Sequence, residues 1–229
     1  MTLSAAAGIT PFSDASGNPA TNVSGFAEVL DYIAIMNYDV WGSWSSSVGP
    51  NSPLNDSCAA PADQEGSAVS AVNAWNAAGM PVDQIVLGVA AYGHSFSVPL
   101  YDAFVEGSKT DLVAYPKFNA SNQPLGDAGS STGGVDVCGV YEGPGGTYTL
   151  GGLIDGGFLT TDGKPAPGIY YRYDDCSQTV EWSRLGRSGA LDLTIYSSRM
   201  FTTRNPKLWF LSMMLNRLLP RATTSRRLA

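Results

Sequence analysis

The chain has 229 residues, enough for one domain with a sizeable core, and its 44% hydrophobic and 14% charged content excludes a disordered or fibrous polymer. One histidine, His94, excludes any chemistry that needs a histidine pair. The net charge of −7 hides a division: up to Ser183 four basic residues face nineteen acidic ones, and from Arg184 onward nine basic residues face Asp192 alone, so the acidic body is not expected to bind nucleic acid.

In chain order, three short apolar runs come first: Leu3 to Gly8, Tyr32 to Asn37 (YIAIMN) and Ile85 to Ala91 (IVLGVAA). Near-continuous apolar runs are the mark of parallel strands buried on both faces. A short helix is expected after Ser24, with Phe26, Val29 and Leu30 facing inward. A longer one is expected with Asp63 as N-cap, Val69, Val72 and Trp75 at helical spacing, and Gly79 and Pro81 at its end. Strand, helix and strand in this order make a βαβ unit, an α/β fold whose ligands sit at the C-terminal ends of the strands. From about Val98 to Gln178 the chain turns Gly/Pro-rich with short aromatic runs, which reads as a small antiparallel insertion. Val180 to Ala229 is a third texture, basic and rich in Ser, Thr and Arg. It is expected as extended coil with one short helix around Trp209 to Leu219.

The densest chemistry is MNYDVWGSW, Met36 to Trp44. Asp39 falls where a buried strand ends, so it either points into a pocket mouth or caps the following segment. Tyr38 offers a hydroxyl, and Trp41 and Trp44 offer flat faces that suit sugar rings. A second cluster, AAYGHSF, puts Tyr92 just past the third apolar run; His94 beside it reads as a structural histidine. Cys58, Cys138 and Cys176 show no CxxC spacing, so neither a metal site nor a cofactor is expected. Of three possible disulfides, Cys138–Cys176, which brackets the inserted segment, is the one expected. The first ten residues lack the basic start and long apolar stretch of a signal peptide, and no 18-residue apolar run is present to span a membrane.

These motifs resemble glycoside hydrolase family 18. DYIAIMNYD is similar to the signature of the sixth barrel strand, with core Met-x-Tyr-Asp, and QIVLGVAAYGHSF to the seventh strand. DVCGVYEG through YRYDDCSQT is similar to the α+β domain inserted after that strand in fungal chitinases. The resemblance implies part of a (β/α)8 TIM barrel, about strands 5 to 7, with three regions: a partial barrel over 1–97, a chitinase insertion domain over 98–179 and a divergent tail over 180–229. It implies binding of chitin or N-acetylglucosamine oligosaccharides, with no cofactor, by an extracellular monomer. Full-length relatives hydrolyse the β-1,4 link with retention, the substrate's own acetamido group attacking the anomeric carbon. Carried over, Tyr38 would donate to the acetamido carbonyl, Asp39 would hold the distorted sugar, Met36 would pack beneath the acetyl group and Tyr92 would line the next subsite. Trp41 follows the motif as a further binding residue. Where many relatives have arginine after Tyr-Gly this chain has His94, so that arginine's ion pair does not carry over. The family's Asp-x-x-Asp-x-Asp-x-Glu run, which supplies the catalytic acid, does not occur in the 229 residues, so no catalytic residue is assigned. An inactive oligosaccharide-binding remnant and a non-functional product of a diverted reading frame are the rival expectations. A third is membrane-surface binding by LWFLSMMLNRLLPR.

Overall fold

Three of the apolar runs form a parallel sheet, β1 (Ser4–Ala7), β2 (Tyr32–Asn37) and β3 (Ile85–Val89), with β2 in the middle. The computed structural model describes residues 1–186 and the backbone of 191–198. Ala6 is level with Ala34, and Ala34 with Val86. Side chains alternate across a strand, so Ile33, Ile35 and Asn37 share one face and are fully buried, whereas Met36 on the other face is 40% exposed.

The buried face packs on helix α2 (Ala68–Ala77), whose Ala71, Val72 and Trp75 fill the core with Ala7, Ile33, Ile35 and Met80. Trp75 also donates its indole N–H to the carbonyl of Gly8, 3.0 Å away, so a wholly buried ring leaves no orphan donor. The expected end holds: Gly79 adopts φ +98°, and the Met80 amide returns to the Trp75 carbonyl. The expected start does not. Asp63 closes a 3-10 turn (Pro61–Asp63), and the N-cap is Ser67, in a reciprocal capping box with Ser70. Replacing Ser67 by alanine should cost about 1 kcal/mol in urea unfolding. The shorter helix α1 is only Ser24–Ala27; Phe26 and Val29, both expected inward, are 50% and 66% exposed, Phe26 meeting Phe12 at a tilt with centroids 4.8 Å apart.

β4 (Tyr92–Val98) follows β3 after two alanines but belongs to a second, wholly antiparallel sheet. After it come α3 (Leu100–Ala103), a two-stranded hairpin of β5 (Gly134–Val135) and β6 (Tyr141–Glu142), β7 (Thr147–Thr149), α4 (Leu150–Asp155) and β8 (Tyr170–Asp174). β9 (Thr179–Leu185) and β10 (Leu191–Ser198) complete the sheet, in the order β7-β4-β10-β9-β8.

This corrects the reading of everything after Val180 as coil apart from the fold. Val180 and Trp182 alternate into a core with Leu153, Phe158 and Leu159, and Arg184 lies over the Phe158 ring at 4.4 Å. The change in charge sign was a misleading guide, because net charge bears on solubility and encounter, not on fold. The apolar alternation of TVEWS and LTIYS, with period two, is the signal that matters. The expected helix around Trp209 to Leu219 and the membrane-surface segment lie outside the described residues. Among the described residues no helix is long and apolar enough to cross a membrane.

The disulfide is Cys58–Cys176, not Cys138–Cys176. Cys138 is exposed and free on the β5–β6 hairpin, in a turn where the Asp136 carboxylate accepts from its amide. Flanking an insertion in sequence says nothing of distance in space. The Cα atoms of Cys58 and Cys176 are 6.0 Å apart, within bonding range, because the loop after β2 folds over the end of β8.

Candidate functional site

The site is built where the parallel sheet hands the chain to the antiparallel one. β2 ends at Asn37, and two residues on Asp39 turns into the left-handed region at φ +57°. That conformation costs an L-residue about 1 kcal/mol, least for Asp and Asn. It is held by Asn51, whose Oδ1 accepts the Asp39 amide at 2.7 Å and whose own carbonyl accepts the Val40 amide at 3.2 Å.

Opposite, Tyr92 and His94 stand two residues apart on β4 and so share a face. Both reach the same carboxylate oxygen. The Tyr92 hydroxyl donates to Asp39 Oδ1 at 2.5 Å, and His94 Nε2 lies 2.8 Å from it. An ionised carboxylate only accepts, so Nε2 carries the hydrogen. Burial, and then the bond to Asp39, raise the Tyr92 phenol above the ordinary tyrosine range, so it acts as a neutral donor. Oδ2 has no protein partner among the described residues, and the Asp39 side chain is 46% exposed.

Around this carboxylate, Tyr38 packs edge-on to Tyr92 with centroids 6.3 Å apart. Gly88 makes room for it, since a Cβ there would stand 3.2 Å from the Tyr38 ring and 2.8 Å from the Ile35 carbonyl. Trp44 is 63% exposed and meets His94 edge-on at 5.5 Å, its ring lying over Gly42. Met36 is half-open on the neighbouring face of β2.

The structure therefore brings together Tyr38, Asp39 and Tyr92, adds His94, Trp44 and Asn51, and leaves Met36 exposed on β2 two residues before Tyr38. It does not bring Trp41. That ring is 1% exposed and packs under Gly49 against Tyr115, so it supports the loop and offers no face to a ligand. Tyr115 is itself pushed up to about 12 by burial and by the charge of Asp174. His94, expected to be structural, is buried yet bonded to Asp39; the two-residue spacing from Tyr92 on a strand was the available signal. Nothing local marked Asn51, whose partners are 12 and 41 residues away. No group of three or more metal-ligating side chains occurs among the described residues.

Chemically, one carboxylate with two fixed donors on one oxygen and an open second oxygen, beside an exposed indole, can grip a neutral ligand rich in hydroxyls. Three parallel strands whose C-terminal ends carry this cluster, followed by an antiparallel sheet, are an α/β arrangement of the kind found in TIM-barrel-type folds. The chain matches the family model for glycosyl hydrolases family 18 over residues 1–176, and it belongs to that family.

It is 58% identical to a chitinase-like effector of Moniliophthora roreri over 179 residues, 78% of this chain and 44% of the relative. It is 55% identical to a chitinase-like effector of Moniliophthora perniciosa over 180 residues, 79% of this chain and 40% of the relative. Among solved structures, the chitinase from Rhizomucor miehei superposes with TM-score 0.69 at 26% identity, covering 87% of this chain and 51% of that one. A tobacco class V chitinase, solved as a mutant in complex with NAG4, superposes with TM-score 0.57 at 20% identity, covering 93% of this chain and 49% of that one. The chain thus spans less than half the length of these curated relatives and about half of these solved chains.

Proposed function

We propose that this chain is a family 18 chitinase-like protein that binds β-1,4-linked N-acetylglucosamine oligosaccharides without cleaving them. The observation that carries the reading is the Asp39 carboxylate in its Met-x-Tyr-Asp setting, with Oδ1 held by Tyr92 and His94, the side chain 46% exposed, and Trp44 edge-on to the same His94. β1, β2 and β3 correspond in this reading to the fifth, sixth and seventh barrel strands. Tyr38 donates to the acetamido carbonyl, Asp39 holds the ring that carries it, Met36 lies under the acetyl group and Tyr92 lines the adjacent subsite. Of the two indoles whose faces suit a sugar ring, Trp44 is the exposed one and takes the stacking role. The name chitinase-like effector, carried by the two Moniliophthora relatives, supports a role other than hydrolysis.

Action outside the cell, as a monomer, fits both the family and the Cys58–Cys176 disulfide, since such bonds persist in oxidising compartments. The test is titration of the purified chain with chitotetraose, followed by tryptophan fluorescence and calorimetry. Hydrogen bonds to a charged group are worth about 1.5–3 kcal/mol, so Asp39→Ala should weaken binding about 10- to 100-fold. Trp44→Ala should weaken it about 10-fold and remove most of the fluorescence change. Unchanged affinity in both variants defeats the assignment of the site.

A further inference from the structure

Asn51 is a wholly buried side chain joining three parts of the site that are distant in sequence. Its Oδ1 takes the Asp39 amide at 2.7 Å, its Nδ2 donates to the Tyr92 carbonyl at 2.9 Å, and its backbone carbonyl takes the Val40 amide at 3.2 Å. One planar amide thus spans the gap between the turn after β2 and the first residue of β4. It touches both backbones that carry the hydrogen bond from Tyr92 to Asp39.

We propose that Asn51 is the positioning residue that sets the Asp39 carboxylate in the oligosaccharide site. The inference rests on the binding reading above and assigns Asn51 no contact with the ligand. The acceptor half of the amide fixes the left-handed turn that projects Asp39 forward. The donor half draws in the strand whose Tyr92 and His94 hold Oδ1, while the Asp39 side chain stays 46% exposed. No other common side chain offers a donor and an acceptor this close together at this length: aspartate keeps only the acceptor, leucine keeps only the shape. The neighbourhood leaves little freedom besides. Ser52 Oγ donates to the Asn37 carbonyl at 2.5 Å and Asn37 Nδ2 donates to the Pro53 carbonyl at 3.1 Å, so the segment bearing Asn51 is pinned along the end of β2.

A positioning residue is told from a merely structural one by a double-mutant cycle on chitotetraose affinity, using Asn51→Ala, Asp39→Ala and the pair, with thermal unfolding of each variant as the fold control. Asn51→Ala alone should weaken binding about 10-fold. In the Asp39→Ala background it should weaken binding less than about twofold, because the group it positions has gone. If Asn51→Ala does not fold, Asn51→Asp takes its place. That variant has the same shape and keeps the acceptor but loses the donor, and the same pattern of non-additivity is expected. Equal losses in both backgrounds, or no loss in the first, overturn the inference while the binding reading stands. No binding by the unmodified chain overturns both.

Discussion

Replacing Cys58 by serine is expected to lower the unfolding free energy by about 4–5 kcal/mol, because the bond to Cys176 closes a loop with a sequence separation of 118. Small domains have only about 5–15 kcal/mol in total, so the variant should lose about a third or more of its stability and unfold at a markedly lower temperature. The bond also anchors a long segment with little regular structure. Between β2 and α2 the chain is otherwise held by isolated contacts: the Leu54 amide on the Ser177 carbonyl, the Ala68 and Val69 amides on Pro53 and Leu54, and Ser67 Oγ on Asp56. Asp39, Trp44 and Asn51 all lie on that segment, so oligosaccharide binding should fall with stability. Thermal unfolding with and without a thiol reductant measures the first effect, and chitotetraose titration the second. Cys138→Ser is the control. Its thiol is exposed and unbonded, so the change should stay within about 0.5 kcal/mol. A large effect at Cys138 with none at Cys58 would reverse the assignment of the pair.

The purified 229-residue chain should release no fluorophore from a chitobiose glycoside above a heat-denatured blank. General acid catalysis alone contributes about 10²–10⁴-fold, and the acidic run that supplies the acid in family 18 is not in this sequence. Asp39 stands outside that run, at the end of β2, where its Oδ1 is taken up by Tyr92 and His94. Turnover that Asp39→Ala abolishes would overturn the non-catalytic reading; turnover that survives it would point to a contaminating enzyme.

What could be read from the sequence follows the range of the interactions concerned. YIAIMN and IVLGV announce strands by their own composition. Val72, Trp75 and Gly79 announce a helix and its end, because those preferences act over one or two turns. Asp39 was legible because a strand end and a family signature coincide on it. Asn51 and the Cys58–Cys176 bond were not, since each depends on the loop after β2 folding back on partners 12 to 118 residues away. Trp41 and Trp44 are three residues apart in one motif and chemically identical. Only packing separates them, Trp41 going under Gly49 and Trp44 over Gly42. At the C-terminal side, charge drew attention away from an alternation that the antiparallel sheet uses. Val180 and Trp182 show that a segment of altered charge can still bury its apolar face.

The sheet order has a consequence for when the site comes into being. β10 lies between β4 and β9, with Tyr196 level with His94 and Ile195 paired to Ser95 on one side and Trp182 on the other. Domains are made from the N-terminus at a few to some tens of residues per second. Until residue 198 has left the ribosome, β4 can pair only with β7, and only over its first three residues, Tyr92 to His94. The far side of β4 is meanwhile an open edge, able to accept a strand from any other chain. Asp39, Asn51 and the loop that carries them are all synthesised more than a hundred residues before the strand that closes the sheet beside Tyr92 and His94. The His94 side of the proposed site therefore lies on an open edge until β10 arrives, although Asp39, Asn51 and Tyr92 are made long before it.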